Sequence, residues 1–514
     1  MTRRHANDDV VDAVIVGTGA GGAPLAARLA AAGLSVVELE AGRGFTPAEH
    51  TPDETDADIY WMEERLSGGD TPTAFGANNS GMGVGGSTLH WGAFCPRPDP
   101  RDLQLRTMTG QGEDWPIAHN ALISYVEEVE QFIQVSGPAD YPWDLARRYP
   151  QPACARNAPA HAMARGCAAL GITATDAPAA LVTRDTVAPA WGQRQACVNC
   201  GACHQGCRVA SKATTSVTYL PLAVAHGAEI RARCRVIDVE RDGRGRVTAV
   251  IYREDGVDRR QRCRALFLCA GGIETPRLLL HLDLANSSGQ VGRNFMAHVA
   301  TQVWGRFDEA MTMNHGYPSS LITEDMVRPA GADFVGGYLV QSLGVQPGTI
   351  ANTLARSGIW GPRLVQLMDS YNHLAGIGIN GECLPSERNR LTLSDETDAF
   401  GIAKARIDFS YGENETRIDR HAISVMSQVW EAAGARDIFA AQRSAHTIGT
   451  CRMGTAGDTA VVDHAGRSFD VDNLYICDNS IFPSALAANP ALTIMALSLR
   501  TADLFLNHGA ERAA

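Results

Sequence analysis

Val11-Asp12-Ala13-Val14-Ile15-Val16-Gly17-Thr18-Gly19-Ala20-Gly21-Gly22, followed at once by the alanine-rich Ala23–Ala32, decides the reading of this chain. The β-branched apolar run predicts a buried parallel strand, and the alanines predict a helix. Between them stands G-x-G-x-x-G, at Gly17, Gly19 and Gly22. The first glycine permits the tight turn, the second lets a pyrophosphate approach the backbone, and the third lets helix and strand pack closely. The helix N-terminus then offers unpaired N–H groups and a partial positive charge to the phosphates. A second apolar run, Leu34–Leu39, ends in Glu40-Ala41-Gly42. That sets a carboxylate about 20 residues past the glycines, suited to a ribose hydroxyl. Strand, glycine turn, helix, strand and acid, in that order, predict a dinucleotide site in an α/β, Rossmann-like domain.

The 514 residues suffice for two or more domains, and 45% hydrophobic with 20% charged residues is a globular composition. A formal net charge of -12 with no Lys/Arg block argues against nucleic acid and anionic membrane surfaces as partners. Met1–Asp9 is polar without an apolar leader, and no stretch approaches the ~20 apolar residues of a membrane span, so the expected location is cytoplasmic, with co-export beside a signal-bearing partner left open. The 13 cysteines, an odd number spread along the chain, read as reduced thiols rather than a disulfide framework.

Further along, Arg43–Ser80 is irregular with an acidic patch at Asp53–Asp58, and Gly81–Gly92 is a glycine-rich loop that must fit tightly against something. Asp114-Trp115-Pro116 opens an expected helix through Phe132, and another lies around His161–Leu170. Ala228–Ile230, Cys234–Glu240, Val247–Arg253 and Ala265–Ala270 read as strands, the last running into Gly271-Gly272 and a helix. Between Ala300 and Ala440 the texture changes to alternation (Asp333–Gln341, Leu391–Leu393, Ala405–Phe409) plus an amphipathic helix, Thr416–Ala433. This predicts an inserted antiparallel sheet. Leu474–Asp478 and a final helix from Ala491 return to the first domain.

Six blocks in order then resemble the glucose–methanol–choline (GMC) family of flavin oxidoreductases along nearly the whole chain. They are the N-terminal glycine motif with Glu40-Ala41-Gly42, Gly83–Gly92, Ala270–Pro276, Val291–Asn294, His446–Thr450, and Asn473–Pro483 with Ala488-Asn489-Pro490. The resemblance implies FAD and oxidation of a substrate alcohol to a carbonyl. It implies an FAD-binding domain from 1–115, 196–300 and 441–514, and a substrate domain from 116–195 and 301–440. By matched position, Gly17, Gly19, Gly22, Glu40, Gly85, Gly86, Ser87, His90, Trp91, Gly271, Asp478 and Asn479 would hold FAD, with His90 where some relatives tether the flavin covalently. His446 matches the family's catalytic histidine and Asn489 its second active-site position. Alcohol oxidation removes a proton and a hydride; a histidine neutral near pH 7 can take the proton while the hydride passes to flavin N5. An amide can hold the oxygen without competing as a base.

Cys197, Cys200, Cys203 and Cys207 form C-x2-C-x2-C-x3-C, the spacing of ferredoxin-type iron–sulfur ligands, with zinc the next candidate. Arg208 replaces the proline that commonly follows, and flavin-only GMC members carry similar segments, so a cluster and no metal both stay open. The electron acceptor is accordingly oxygen or a redox carrier. The leading substrate class is a sugar, polyol or aminosugar, the acidic charge favouring a cationic aminosugar such as an aminoglycoside. A steroid or long-chain alcohol oxidase is the alternative. A non-catalytic electron-transfer flavoprotein would have lost the His446/Asn489 pair, and both are present.

Overall fold

In the computed structural model, residues 4–55, 58–61, 63–71 and 80–513 are described. The parts of the Arg43–Ser80 connection and its acidic patch at 56–57, 62 and 72–79 lie outside them. Strand β1 (Val10–Val16) feeds helix α1 (Gly22–Ala31) and then β2 (Val36–Leu39). β1 pairs in parallel with β2 on one edge and with Val257–Leu268 on the other, and β2 pairs in parallel with Glu229–Arg231. Val257–Leu268 serves two neighbours on its far edge. Its first half is antiparallel to Val247–Glu254, and its last residues are parallel to Leu474–Ile476. With Cys234–Arg241 this makes a seven-stranded sheet. Ala13, Val14 and Ile15 are fully buried in a strand that is paired in parallel on both edges.

The second sheet has eight strands, ordered Arg436–Ala441, Gln302–Arg306, Leu374–Gly381, Tyr338–Leu343, Leu321–Thr323 and Thr175–Asp176; Met296–Val299 pairs with Leu374–Gly381 and with Ser444–Ile448. Alternation along Leu374–Gly381 sorts its two faces. Ile377 and Ile379 pack toward helices Ala158–Ala169 and Glu413–Ala432 with Met163, Ile418 and Trp430, whereas Gly378 and Asn380 face a cavity.

Three expectations need correction. Leu391–Leu393 and Ala405–Phe409 do not join this sheet: Arg390–Thr397 and Ala403–Asp408 form a separate three-stranded sheet with Leu66–Gly68. Asp398 between them holds Arg277 at 2.7 Å, which draws the hairpin onto helix Gly271–His281. Helices Pro347–Arg356 and Gly361–Asp369 stand where only alternation was read; a proline near each N-terminus presets the first turn. The helix expected from Asp114 starts at Asn120, since Trp115 is turned inward to donate its indole N–H to Ser484 Oγ at 2.8 Å. No helix among the described residues is long and apolar enough to cross a membrane.

Candidate active site

The strand ends of the first sheet and the exposed face of the second enclose one cavity of about 1300 Å³. Gly17, Gly19, Glu40, Gly86, Ser87, His90, Trp91, Gly271, Asp478, Asn479, His446 and Asn489 all line it. Gly22 and Gly85 do not. A Cβ on Gly22 would lie 1.8 Å from the Gly17 carbonyl oxygen, so this glycine serves helix–strand packing. Gly85 donates its N–H to Thr18 Oγ1 at 2.9 Å, tying the second glycine loop to the first.

Gly17, at φ +101°, makes the turn, and a Cβ there would meet the Cys269 carbonyl oxygen at 2.5 Å. Gly19 differs. A Cβ at Gly19 would find no protein atom closer than 3.7 Å, so the space in front of it is open to the cavity. No side chain caps the N-terminus of α1, whose free N–H groups start at the same point. A diphosphate fits this cradle. Glu40 sits further along the wall, its carboxylate accepting from Thr18 N and Oγ1, Gly42 N and Gly83 N at 2.8–3.2 Å. These bonds gather three loops around the acid. Asp478 accepts from Gly271 N at 2.8 Å and Thr275 Oγ1 at 2.6 Å, and burial raises its carboxyl above the usual range. At the inner end, His90 Nε2 and Trp91 Nε1 are buried without partners among the described residues, which leaves two polar atoms for a bound ring system to meet. Burial pulls His90 down to about 3, so the ring is neutral.

His446 lies on Ser444–Ile448 in the left-handed region, at φ +61°, a strained setting for a non-glycine residue. Its Nδ1 stands 2.8 Å from Nδ1 of His298, a residue the sequence reading did not single out. Proton placement follows from the surroundings of His298. Its Nε2 lies 3.0 and 2.9 Å from the carbonyl oxygens of Ala485 and Leu486, which can only accept. Nε2 therefore carries the hydrogen. Burial pushes His298 down to about 4, so the ring is neutral and its Nδ1 is a bare acceptor. His446 Nδ1 must donate to it, leaving His446 Nε2 with an open lone pair. Desolvation first, then the nearby charge of Arg443, holds His446 well below its ordinary value. Asn489 Nδ2 lies 3.4 Å from that lone pair, and Asn489 Oδ1 accepts from Asn380 Nδ2 at 3.0 Å. Base and amide N–H thus converge on one point of the cavity.

Beyond that point the wall is polar. Gln302 and Gln341 flank Gly378 in one cross-strand row, and the side-chain oxygen of each is buried without a partner among the described residues. The only sequence signal for His298 was a histidine inside the apolar run Phe295–Ala300. Gln302, Gln341 and Asn380 carried none, because facing strands brought them together.

The four motif cysteines do not reach this cavity. Cys197, Cys200, Cys203 and Cys207 line a separate apolar void of about 20 Å³ with Leu181 and Tyr317. Among the described residues no three His, Cys, Asp or Glu side chains form a group that could hold a metal ion, so the iron–sulfur and zinc readings gain no support. Lys212, next to this void, is buried and donates to the carbonyl oxygens of Leu89 (2.8 Å), Trp91 (3.1 Å) and Cys203. It clamps the cysteine segment onto the His90-Trp91 loop.

Family models described as GMC oxidoreductase match residues 12–300 and 385–498. The chain belongs to the GMC oxidoreductase family. It is an FAD-dependent alcohol oxidoreductase. Two curated relatives match end to end: 2-methyl-1,2-propanediol dehydrogenase of Mycolicibacterium austroafricanum (29% identical, 96% of this chain and 95% of that one) and the fructose dehydrogenase large subunit of Gluconobacter japonicus (28%, 96% and 98%). Among solved structures, formate oxidase of Aspergillus oryzae, described in terms of its FAD modification, superposes with a TM-score of 0.69 over 99% of this chain and all of that one at 14% identity. That likeness shows the GMC fold.

Proposed function

We propose that this GMC oxidoreductase oxidises a carbinol of a polyhydroxylated small molecule, a sugar or polyol, with His446 as the base. The arrangement of hydrogens around His446 carries the reading: its Nδ1–H is committed to His298, so Nε2 is free to receive the hydroxyl proton. Asn489, turned by Asn380, donates to the substrate oxygen and holds it beside that lone pair. The glycine cradle, Glu40 and the 86–91 and 478–479 segments would hold FAD, which when bound would supply the two-electron acceptor for the hydride leaving the carbinol carbon. A carbonyl remains, the proton resting on His446.

The unpartnered oxygens of Gln302 and Gln341 favour a substrate with several hydroxyls over a sterol or long-chain alcohol. An apolar ligand would leave both buried acceptors without donors, at about 1–3 kcal/mol each. Anaerobic bleaching of the flavin tests this across sugars, polyols, sterols and fatty alcohols. Polyols should reduce it fastest; a preference for sterols or fatty alcohols would overturn the assignment. In His446→Ala the flavin should stay bound while its reduction slows roughly 10²–10⁴-fold.

A further inference from the structure

Two cations on the cavity wall have no partner among the described residues, and they name a substrate group. Six carboxylates line it, and each is answered. Glu40 is held by Thr18, Gly42 and Gly83, Asp478 by Gly271 and Thr275, and Glu54 by the Gly348 and Thr349 N–H groups at 2.7 Å. Glu274 pairs with Arg65 and Arg277, Glu63 with Arg235, and Glu64 with Lys404. Five arginines also line it, and those pairs engage Arg65, Arg235 and Arg277. Arg356 and Arg443 remain. Among the described residues neither makes an ion pair or a side-chain hydrogen bond, although Arg443 is half-buried. The two guanidinium groups repel, and neither has a counter-ion among the described residues. Arg356 ends helix Pro347–Arg356, where the helix dipole favours a cation. Arg443 has no such support. It precedes His446 by three residues and lines the same cavity as Gln302, Gln341 and Asn380.

Burying a guanidinium with no anion is costly unless a ligand brings one. On the reading that His446 deprotonates a carbinol, we propose that Arg443, with Arg356 beside it, receives the carboxylate of a polyhydroxy acid. The planar guanidinium suits a carboxylate in a two-bond fork. The cationic aminosugar expected from the net charge of -12 would instead meet two like charges. The lining's six carboxylates and five arginines nearly cancel, so it is the two unpaired guanidinium groups, rather than any net charge, that favour an anion here.

The test uses the FAD-loaded enzyme and matched pairs: gluconate against gluconamide, and glucose 6-phosphate against glucose. Anaerobic flavin reduction should favour gluconate over its amide by roughly 10–100-fold in kcat/KM, the worth of hydrogen bonds to a charged group. Arg443→Met should abolish that preference through KM, Arg443→Lys should restore part of it, and Arg356→Met should weaken it. Calorimetry with malonate, which has no carbinol, should show saturable binding lost in Arg443→Met. Equal use of acid and amide, no malonate binding, or an Arg443→Met loss equal for both members would overturn the proposal, and preference for the phosphate would overturn the carboxylate. If neutral compounds reduce the flavin as fast as acids, alcohol oxidation stands and the anion site falls. If malonate binds through Arg443 but nothing reduces the flavin, the anion site stands and the alcohol reading falls.

Discussion

Replacing His298 by phenylalanine probes the proton arrangement without touching the cavity, because His298 does not line it. The change removes the only acceptor assigned to His446 Nδ1–H, 2.8 Å away, and leaves the Ala485 and Leu486 carbonyls without their donor. A buried hydrogen bond that selects one tautomer is worth about 1–3 kcal/mol. Without it, the competing tautomer, protonated on Nε2, cannot accept the substrate proton. Flavin reduction should therefore fall about 10–100-fold, less than in His446→Ala. The effect should appear in the limiting rate, with KM nearly unchanged. His298→Gln should recover much of the rate, since its amide oxygen can accept from His446 and its NH2 can donate to the carbonyls. Anaerobic stopped-flow reduction, after matching flavin content and circular dichroism, reads all three proteins. Wild-type reduction in well-folded His298→Phe would refute the tautomer argument and leave His298 as packing alone.

Gly19→Val should expel FAD by filling the open space before the backbone, and a mutant as yellow as the parent would refute the cradle. Lys212→Met removes the donor to three buried carbonyls and should speed flavin dissociation at least tenfold, measured by recovery of flavin fluorescence on dilution. With His446 held below its ordinary value, flavin reduction should be flat from pH 9 down to 6, with no inflection near 6.5. Thermal stability should behave differently. His298 and His50 are each lowered from 6.5 to about 4, so below pH 6.5 the unfolded chain takes up protons that the folded chain refuses. Stability should fall progressively from pH 6.5 to 4, by up to roughly 3 kcal/mol per histidine, and be insensitive to these groups above 6.5; a melting midpoint constant from pH 7 to 4 would contradict this.

Much of this protein is written locally. A tight turn, a helix start and a carboxylate at the end of the next strand depend on residues within 30 of one another, so Gly17, Gly19, Gly22 and Glu40 declare the cofactor cradle from spacing alone. The ordered blocks from Gly83 to Asn489 likewise declare the family, and with it His446 and Asn489. Tertiary structure decided what those residues can do. The proton that commits His446 is set by His298, 148 positions earlier, through a strand pair between Met296–Val299 and Ser444–Ile448. The polar floor of Gln302, Gln341 and Gly378 is a register of three strands, and no one of those residues signals it. The cysteine spacing left a cluster and no metal both open; in the fold the four cysteines line a small apolar void, and no metal-holding group forms among the described residues. Sequence patterns report chain-local periodicity, whereas tautomers, unpaired charges and ligand sets depend on which groups long-range packing leaves facing one another.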